Sequence, residues 1–338
     1  MADVSIAILG MNRVGTSVGL ALHRYNRSGR EHNFQVTGYD TNASALKKAQ
    51  GMNAIDKSDH RLNEAVRDKD IVVITMPYNE LKDVYEIIAP NLRRGSVVVD
   101  MTPVKQQSLK WAAEYLQEGT HVVSAEPIPN PHYLFDGTDE LERATEDYFD
   151  SSSMLLMPSP SCVKEAVTLA TDFSTLIGSE PMFFDPAEYD ALMAGTKALP
   201  SLLGVMYFYT ISKGSGWDDA QRLTGSDFGM LTRVLFDTHP DDLTALWMDS
   251  RNDLVNKLDF LMANLNQIRT SLLEKDRDAV EAVLEQSSRD YENWINRRHN
   301  NRWQMQDQVD AESPSFGSMM GNLVGGFVTR RGKKDNDE

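Results

Sequence analysis

The sequence predicts an α/β protein whose first half is a mostly parallel, doubly wound sheet and whose second half is helical. Three observations support this. Seven short apolar runs, at 4–9, 34–39, 71–75, 96–100, 121–125, 154–157 and 181–184, alternate with stretches of helical period such as 81–88 and 109–116. Strand alternating with helix implies βαβ units around parallel strands. After Asp185-Pro186 the pattern changes, and 187–203, 220–235, 243–261 and 279–294 are expected to be helices with no strand among them. Between the first strand and a helix expected over 14–23 lies Gly10-Met11-Asn12-Arg13-Val14-Gly15, where a doubly wound sheet places its phosphate loop. These patterns predict an α/β domain over 1–185, a helical domain over 186–312 and a tail over 313–338.

A chain of 338 residues is long enough for two domains at about 150 residues each. Hydrophobic residues make up 41% and charged residues 25%, which excludes wholesale disorder, a collagen-like fibre and a disulfide scaffold. The net charge of −16 argues against nucleic acid or an anionic membrane as the main partner. Cys162 is the only cysteine, so neither an intramolecular disulfide nor a cysteine-rich metal site is available, and no His/Asp/Glu spacing suggests a metal. Residues 1–10 lack the pattern of a secretory signal, and no run of about 18 apolar residues is evident. A cytoplasmic location without a membrane span is the resulting expectation. Asp136, Asp139, Glu140, Glu142, Glu146, Asp147 and Asp150 crowd one segment, expected to be a solvated loop between two strands. The tail joins a Gly/Met-rich apolar stretch, 316–328, to Arg330, Arg331, Lys333 and Lys334. It is expected to be a loosely ordered terminus, with docking on a partner subunit or a membrane surface as the alternatives.

In a phosphate loop of this kind Gly10 makes the tight turn, Gly15 lets the helix pack close, and the helix N-terminus faces a pyrophosphate. The middle glycine of G-x-G-x-x-G is Asn12 here, a residue that tolerates positive φ but carries a side chain that must be accommodated. Asp40, closing the second strand, is placed to hold ribose hydroxyls and repel a 2′-phosphate, which favours NAD over NADP. Arg13, Val14, Met76, Pro77 and Thr102 are the further cofactor-binding candidates. The basic segment 24–32 accounts for the long spacing to Asp40, although Arg24, Arg27 or Arg30 folding back on a phosphate is a competing arrangement. The structural alternative is a nucleotide-free relic of the fold.

The order of these features resembles the prephenate/arogenate dehydrogenase family, within the 6-phosphogluconate-dehydrogenase-like folds. The resemblance covers about residues 4–295. It includes the glycine loop, Asp40, Asn42, Ala49 and Gly51, Lys69–Val73 leading to Met76-Pro77, Gly95–Asp100 before Val104-Lys105, Glu126-Pro127, Asp185-Pro186, Asp190, Leu199-Pro200 and Thr232-Arg233. It implies a Rossmann-type nucleotide domain, a helical domain that forms a homodimer, and oxidation of a cyclohexadienol with hydride transfer to a nicotinamide, a step of tyrosine biosynthesis. Four positions depart from the family pattern. Glu126 replaces the histidine that polarises the substrate hydroxyl, Ser201 replaces a second histidine, Pro103 replaces a serine, and Met248 stands where an arginine meets a carboxylate.

The altered pocket has its own candidates. Lys197 and Ser201 are four residues apart and share a helix face if Pro200 only kinks it. Lys197 suits acid/base work if burial lowers its pKa, or a substrate carboxylate if it stays charged. Glu126 suits proton acceptance if a half-dry pocket raises its pKa. With Lys105 they would form the polar floor of the pocket, the plain alternative being an ion pair of Glu126 with either lysine. Asn130, His132 and Arg233 are substrate-binding candidates, a surface histidine and a helix-to-helix salt bridge being the bland readings of the last two. The function expected is an NAD-dependent oxidoreductase acting on a small carboxylate-bearing hydroxy compound. A catalytically silent paralogue with a binding or assembly role is the alternative, and prephenate handled by rearranged residues is a third possibility. Dimerisation is expected through the helices at 254–268 and 279–294.

Overall fold

The computed structural model describes residues 2–301 apart from Arg30, Gly137 and Thr138, so the anticipated tail lies outside the described residues. The strands are β1 (Ala2–Leu9), β2 (His32–Tyr39), β3 (Lys57–Asp59), β4 (Ile71–Ile74), β5 (Val97–Asp100), β6 (His121–Pro127), β7 (Ser152–Pro158) and β8 (Ser179–Phe183). They form one sheet in the order β3-β2-β1-β4-β5-β6-β7-β8. Neighbouring strands pair in parallel except at β6 and β7, which are antiparallel. Both β4 and β5 are buried throughout, as strands covered on two faces must be. The short β3 is an addition to the seven anticipated strands.

Helices α1 (Arg13–Arg27), α2 (Ala43–Gly51), α3 (Leu62–Ala65), α4 (Leu81–Ile88), α5 (Lys105–Tyr115) and α6 (Lys164–Leu176) accompany the sheet. Two apolar clusters make the core: Ile6, Ile8, Val73, Val99 and Phe173 belong to one, Ala7, Leu9, Val72, Ile74 and Tyr85 to the other. Alternate residues of β1 and β4 therefore feed opposite sides of the sheet. The chain runs outward from β1 through β2 to β3 and returns to β4 beside β1, opening the crevice where such sheets bind ligands.

The change from strand to helix falls at Asp185, whose carboxylate caps α7 (Pro186–Met193) by accepting from Ala187 N and Glu188 N. A π-helical turn, Ala194–Ala198, joins α7 to α8 (Leu199–Ser212). After it come α9 (Trp217–Ala220), α10 (Ser226–Thr232), α11 (Val234–Asp237), α12 (Pro240–Asp249), α13 (Arg251–Glu274) and α14 (Arg277–His299). Two anticipated helices need correction. The stretch 220–235 breaks at Thr224-Gly225, both extended, and 243–261 breaks at Ser250, whose hydroxyl turns back to Leu246 O. Among the described residues, those up to Leu265 make one compact unit and 266–301 belong to another.

The helical run 186–212 is long and apolar enough by length and composition to cross a membrane, contrary to the expectation that no such stretch exists. Its first part packs on β6 and α5, where Tyr189 and Lys197 bond to Glu126 and Asp190 bonds to Lys105 and Gln106. The remainder, α8, has only 14 residues, short of the roughly 20 that a bilayer core requires.

The acidic segment lies between β6 and β7 with Asp139, Glu140, Glu142 and Glu146 exposed, as anticipated, but its carboxylates are tied to basic side chains. Arg24 holds Asp150 with two parallel bonds of 2.7 Å, Arg27 pairs with Glu146, Arg13 with Asp136 and Lys48 with Glu142. It is strapped across α1 and α2, leaving Arg24 and Arg27 committed to carboxylates rather than to a phosphate.

Candidate active site

A cleft of about 590 Å3 opens at the C-terminal ends of β1, β2, β4 and β5. Gly10, Asn12, Asp40, Met76, Pro77 and Thr102 line it, and Asp139, Leu141 and Glu142 close one side. Gly10 has φ +102°, and a Cβ there would stand 2.9 Å from Met76 N. Only glycine suits that turn. At Gly15 a Cβ would come within 2.1 Å of Gly10 O, so the absent side chain lets α1 close on the loop.

Asn12 needs no positive φ, contrary to the reason given for tolerating it. Its backbone is extended (φ −82°, ψ −173°), and its amide caps α1 by accepting from Gly15 N at 2.9 Å while donating to Thr75 O at 2.7 Å. The side chain is thus turned back onto β4. Asp40 accepts from Met11 N at 2.6 Å and Asn42 N at 2.7 Å, which fixes its carboxylate between the loop and α2. Each carboxylate oxygen retains a second lone pair for a ribose hydroxyl. The glycine turn and Asp40, both lining the cleft, fit a dinucleotide. Arg13 serves elsewhere: its guanidinium is buried, 4.9 Å from the Tyr148 ring centroid and 5.2 Å from that of Tyr133. Neither Arg13, Val14 nor Gly15 lines the cleft.

Behind the floor lies a charged cluster. Thr102 lines the cleft, and its carbonyl accepts from the Nζ of Lys105, which also donates to Ala125 O at 2.7 Å. Lys105 is wholly buried, 3.7 Å from Glu126 Oε2 and 5.2 Å from the Tyr189 ring centroid. Glu126 Oε2 accepts from Tyr189 OH at 2.8 Å, and Oε1 accepts from Lys197. Asp190 takes the N–H groups of Lys105 and Gln106 at 2.6 and 3.0 Å, capping α5. Those bonds hold Val104 at φ +57°, a left-handed conformation rare for a β-branched residue.

Burial pushes the Glu126 carboxyl up, but the charges of Lys197 and Lys105 and the hydrogen bonds from Lys197 and Tyr189 outweigh it, so its pKa lies below the ordinary value. This reverses the anticipated rise. Burial lowers the pKa of Lys105, against the pull of Glu126 and Asp100. Desolvation likewise pushes the Tyr189 hydroxyl well up, keeping it a donor.

The other candidates are dispersed. Ser201 donates to Ala198 O at 2.7 Å and accepts from Trp247 Nε1 at 2.9 Å, so it does not join Lys197 on one face. The wider π turn before Pro200 sends the two side chains different ways. Asn130 is a loop staple, accepting from His132 N and donating to Asp147 O. His132 is exposed on a 3-10 turn. Arg233 pairs with Asp237 at 2.7 Å and lies 3.8 Å from Glu140. Sequence reasoning missed Tyr189, which lies eight residues before Lys197 and, like it, reaches Glu126. Among the described residues no group of three or more potential ligands forms a metal site.

Residues 19–182 match the family model of the prephenate dehydrogenase nucleotide-binding domain. The cyclohexadienyl dehydrogenase of Zymomonas mobilis is 22% identical over 280 residues, 81% of this chain and 90% of that protein. A solved prephenate dehydrogenase from Aquifex aeolicus, in complex with hydroxyphenyl propionate and NAD+, superposes with a TM-score of 0.71 at 18% identity, covering 86% of this chain and 99% of that one. Synechocystis arogenate dehydrogenase gives 0.63 at 18% identity, covering 86% and 100%. Residues 19–182 thus match the nucleotide-binding domain of prephenate dehydrogenases, and the chain shares the fold of the solved prephenate and arogenate dehydrogenases over most of its length.

Proposed function

We propose that this protein is an NAD-dependent oxidoreductase of the prephenate dehydrogenase type that oxidises a small carboxylate-bearing hydroxy substrate in an altered pocket. The observation that carries the reading is the sharing of Thr102 between the switch-point cleft and the Lys105–Glu126–Lys197 cluster. When bound, the nicotinamide supplies the hydride acceptor. The chain's own residues supply charge and proton transfer. Glu126, Asp100 and Asp190 surround the buried Lys105, so Lys197 is the cluster's positive charge that suits an anionic substrate. Lys197, about half exposed, is the cation free to turn towards a substrate carboxylate, whereas Lys105 is locked by two carbonyls. As Lys197 leaves, Glu126 loses part of what holds its pKa down and becomes a better acceptor for the hydroxyl proton.

Turnover assays with NAD and prephenate, arogenate and small hydroxy acids test this. Activity with one of them, lost in Glu126→Gln and with raised KM in Lys197→Met, is the expected result; unchanged turnover and binding in both variants refute it. Residues 186–312 act in this reading as the substrate and dimerisation domain of a cytoplasmic homodimer of tyrosine biosynthesis. Support for the dimer comes from Met230, Phe236 and Phe260, apolar side chains at least 70% exposed on the helices. Light scattering showing a dimer that Phe236→Asp weakens is expected, and a monomer at micromolar concentration overturns it.

A further inference from the structure

We propose that the short turn Leu141–Arg143 sets the choice of cofactor: Glu142 ties down Lys48 and so withholds it from the 2′-phosphate of NADP. This rests on the reading of the cleft as a dinucleotide site. Ser44, Ala45 and Lys48 line the cleft from one face of α2. The helix begins just past Asp40, with Asn42 as N-cap accepting from Ser44 N at 2.9 Å. A phosphate on the 2′-oxygen of a ribose held by Asp40 would project towards this helix start. The Ser44 hydroxyl, the helix N-terminus and the Lys48 ammonium are the groups there that would bind it.

Lys48 is the only lysine or arginine among the residues lining the cleft, and its ammonium is paired with Glu142. The hydrogen bond from Lys48 holds the Glu142 carboxyl below its usual range. The turn carrying Glu142 is anchored, since Leu141 beside it is a buried member of the core. An incoming phosphate therefore meets Asp40, Asp139 and Glu142 with no uncommitted lysine or arginine among the residues lining the cleft. Discrimination is double: Asp40 repels the phosphate, and Glu142 neutralises the side chain that would attract it.

Calorimetric titration of the full chain with NADH and NADPH tests this in the wild type, Glu142→Ala and Glu142→Ala/Lys48→Ala. The Glu142 side chain is more than half exposed, so both variants should melt close to the wild type. The expected result is an NADPH-to-NADH affinity ratio raised about fivefold or more by Glu142→Ala at low ionic strength and returned towards the wild-type value by the added Lys48→Ala. An unchanged ratio overturns the proposal. A rise that persists without Lys48 also overturns it, leaving only a general loss of negative charge. Binding of neither nucleotide to any form removes the dinucleotide reading itself, an outcome distinct from the other two.

Discussion

The ammonium of Lys197 on the π turn and the Nζ of Lys105 behind the cleft floor converge on one carboxylate, Glu126, at the end of β6. Lys105 has no exposed side-chain surface, so Glu126 is its charge partner in a place water does not reach. Glu126→Gln strands a buried ammonium and should cost about 3 kcal/mol of stability, because breaking a buried pair leaves an uncompensated charge. Adding Lys105→Met removes that charge and should recover part of the loss. Urea unfolding of the two single variants and the double variant checks this; simple additivity would refute it.

The same pair predicts a pH dependence. The folded pKa of Glu126 is below its unfolded value, so its contribution is present above the model-peptide value of 4.5 and is lost as pH falls through the folded pKa. Lys105 has a folded pKa below 10.5, so between those two values the unfolded chain binds more protons and stability rises with pH. Unfolding free energies measured from about pH 3 to 6 should fall less steeply towards acid in Glu126→Gln than in the wild type. Equal acid slopes would show that Glu126 does not titrate differently on folding.

What the sequence makes legible here follows from which interactions are local. Doubly buried β4 and β5 appear as unbroken apolar runs, and Gly10 announces a backbone that no other residue fits. By contrast β3 is Lys57-Ser58-Asp59, strand only because it pairs with β2. The acidic segment displays its carboxylates but not its partners, because Arg24 and Arg27 lie more than 100 residues earlier in the chain. The sign of the Glu126 shift was missed for the same reason. An apolar strand advertises burial, whereas Lys105 and Lys197 reach the carboxylate from 21 and 71 residues away. Periodicity likewise cannot see the π turn that separates Lys197 from Ser201.

Asn12 joins two elements where the glycine loop would need none. Its amide caps α1 and also bonds to Thr75 O at the end of β4. Asn12→Ala loses both and should cost about 2 kcal/mol, roughly half from the cap and half from the tie. Asn12→Gly keeps a tolerable cap residue and should cost about 1 kcal/mol, while clearing the approach to the pyrophosphate and tightening NADH binding. Thermal melts and NADH titrations of both variants check the order; a glycine variant that binds NADH more weakly would show that the Asn12 side chain itself holds the nucleotide.

Val104 is held by its neighbours in a conformation its own side chain disfavours. Capping by Asp190 and the buried anchorage of Lys105 fix the turn, and Val104 is 3% exposed at φ +57°. Strain of this kind costs about 1–3 kcal/mol, close to the 1.5–3 kcal/mol gained by burying a valine. Val104→Gly gives up the burial but releases the strain, so the two should nearly cancel, leaving a change within about 1 kcal/mol. Val104→Ala gives up most of the burial and keeps a Cβ in the left-handed region, so it should be the more damaging variant by about 1 kcal/mol. In an unstrained buried position alanine is the milder replacement. Denaturant midpoints showing that ordinary order would mean the turn imposes no strain on Val104.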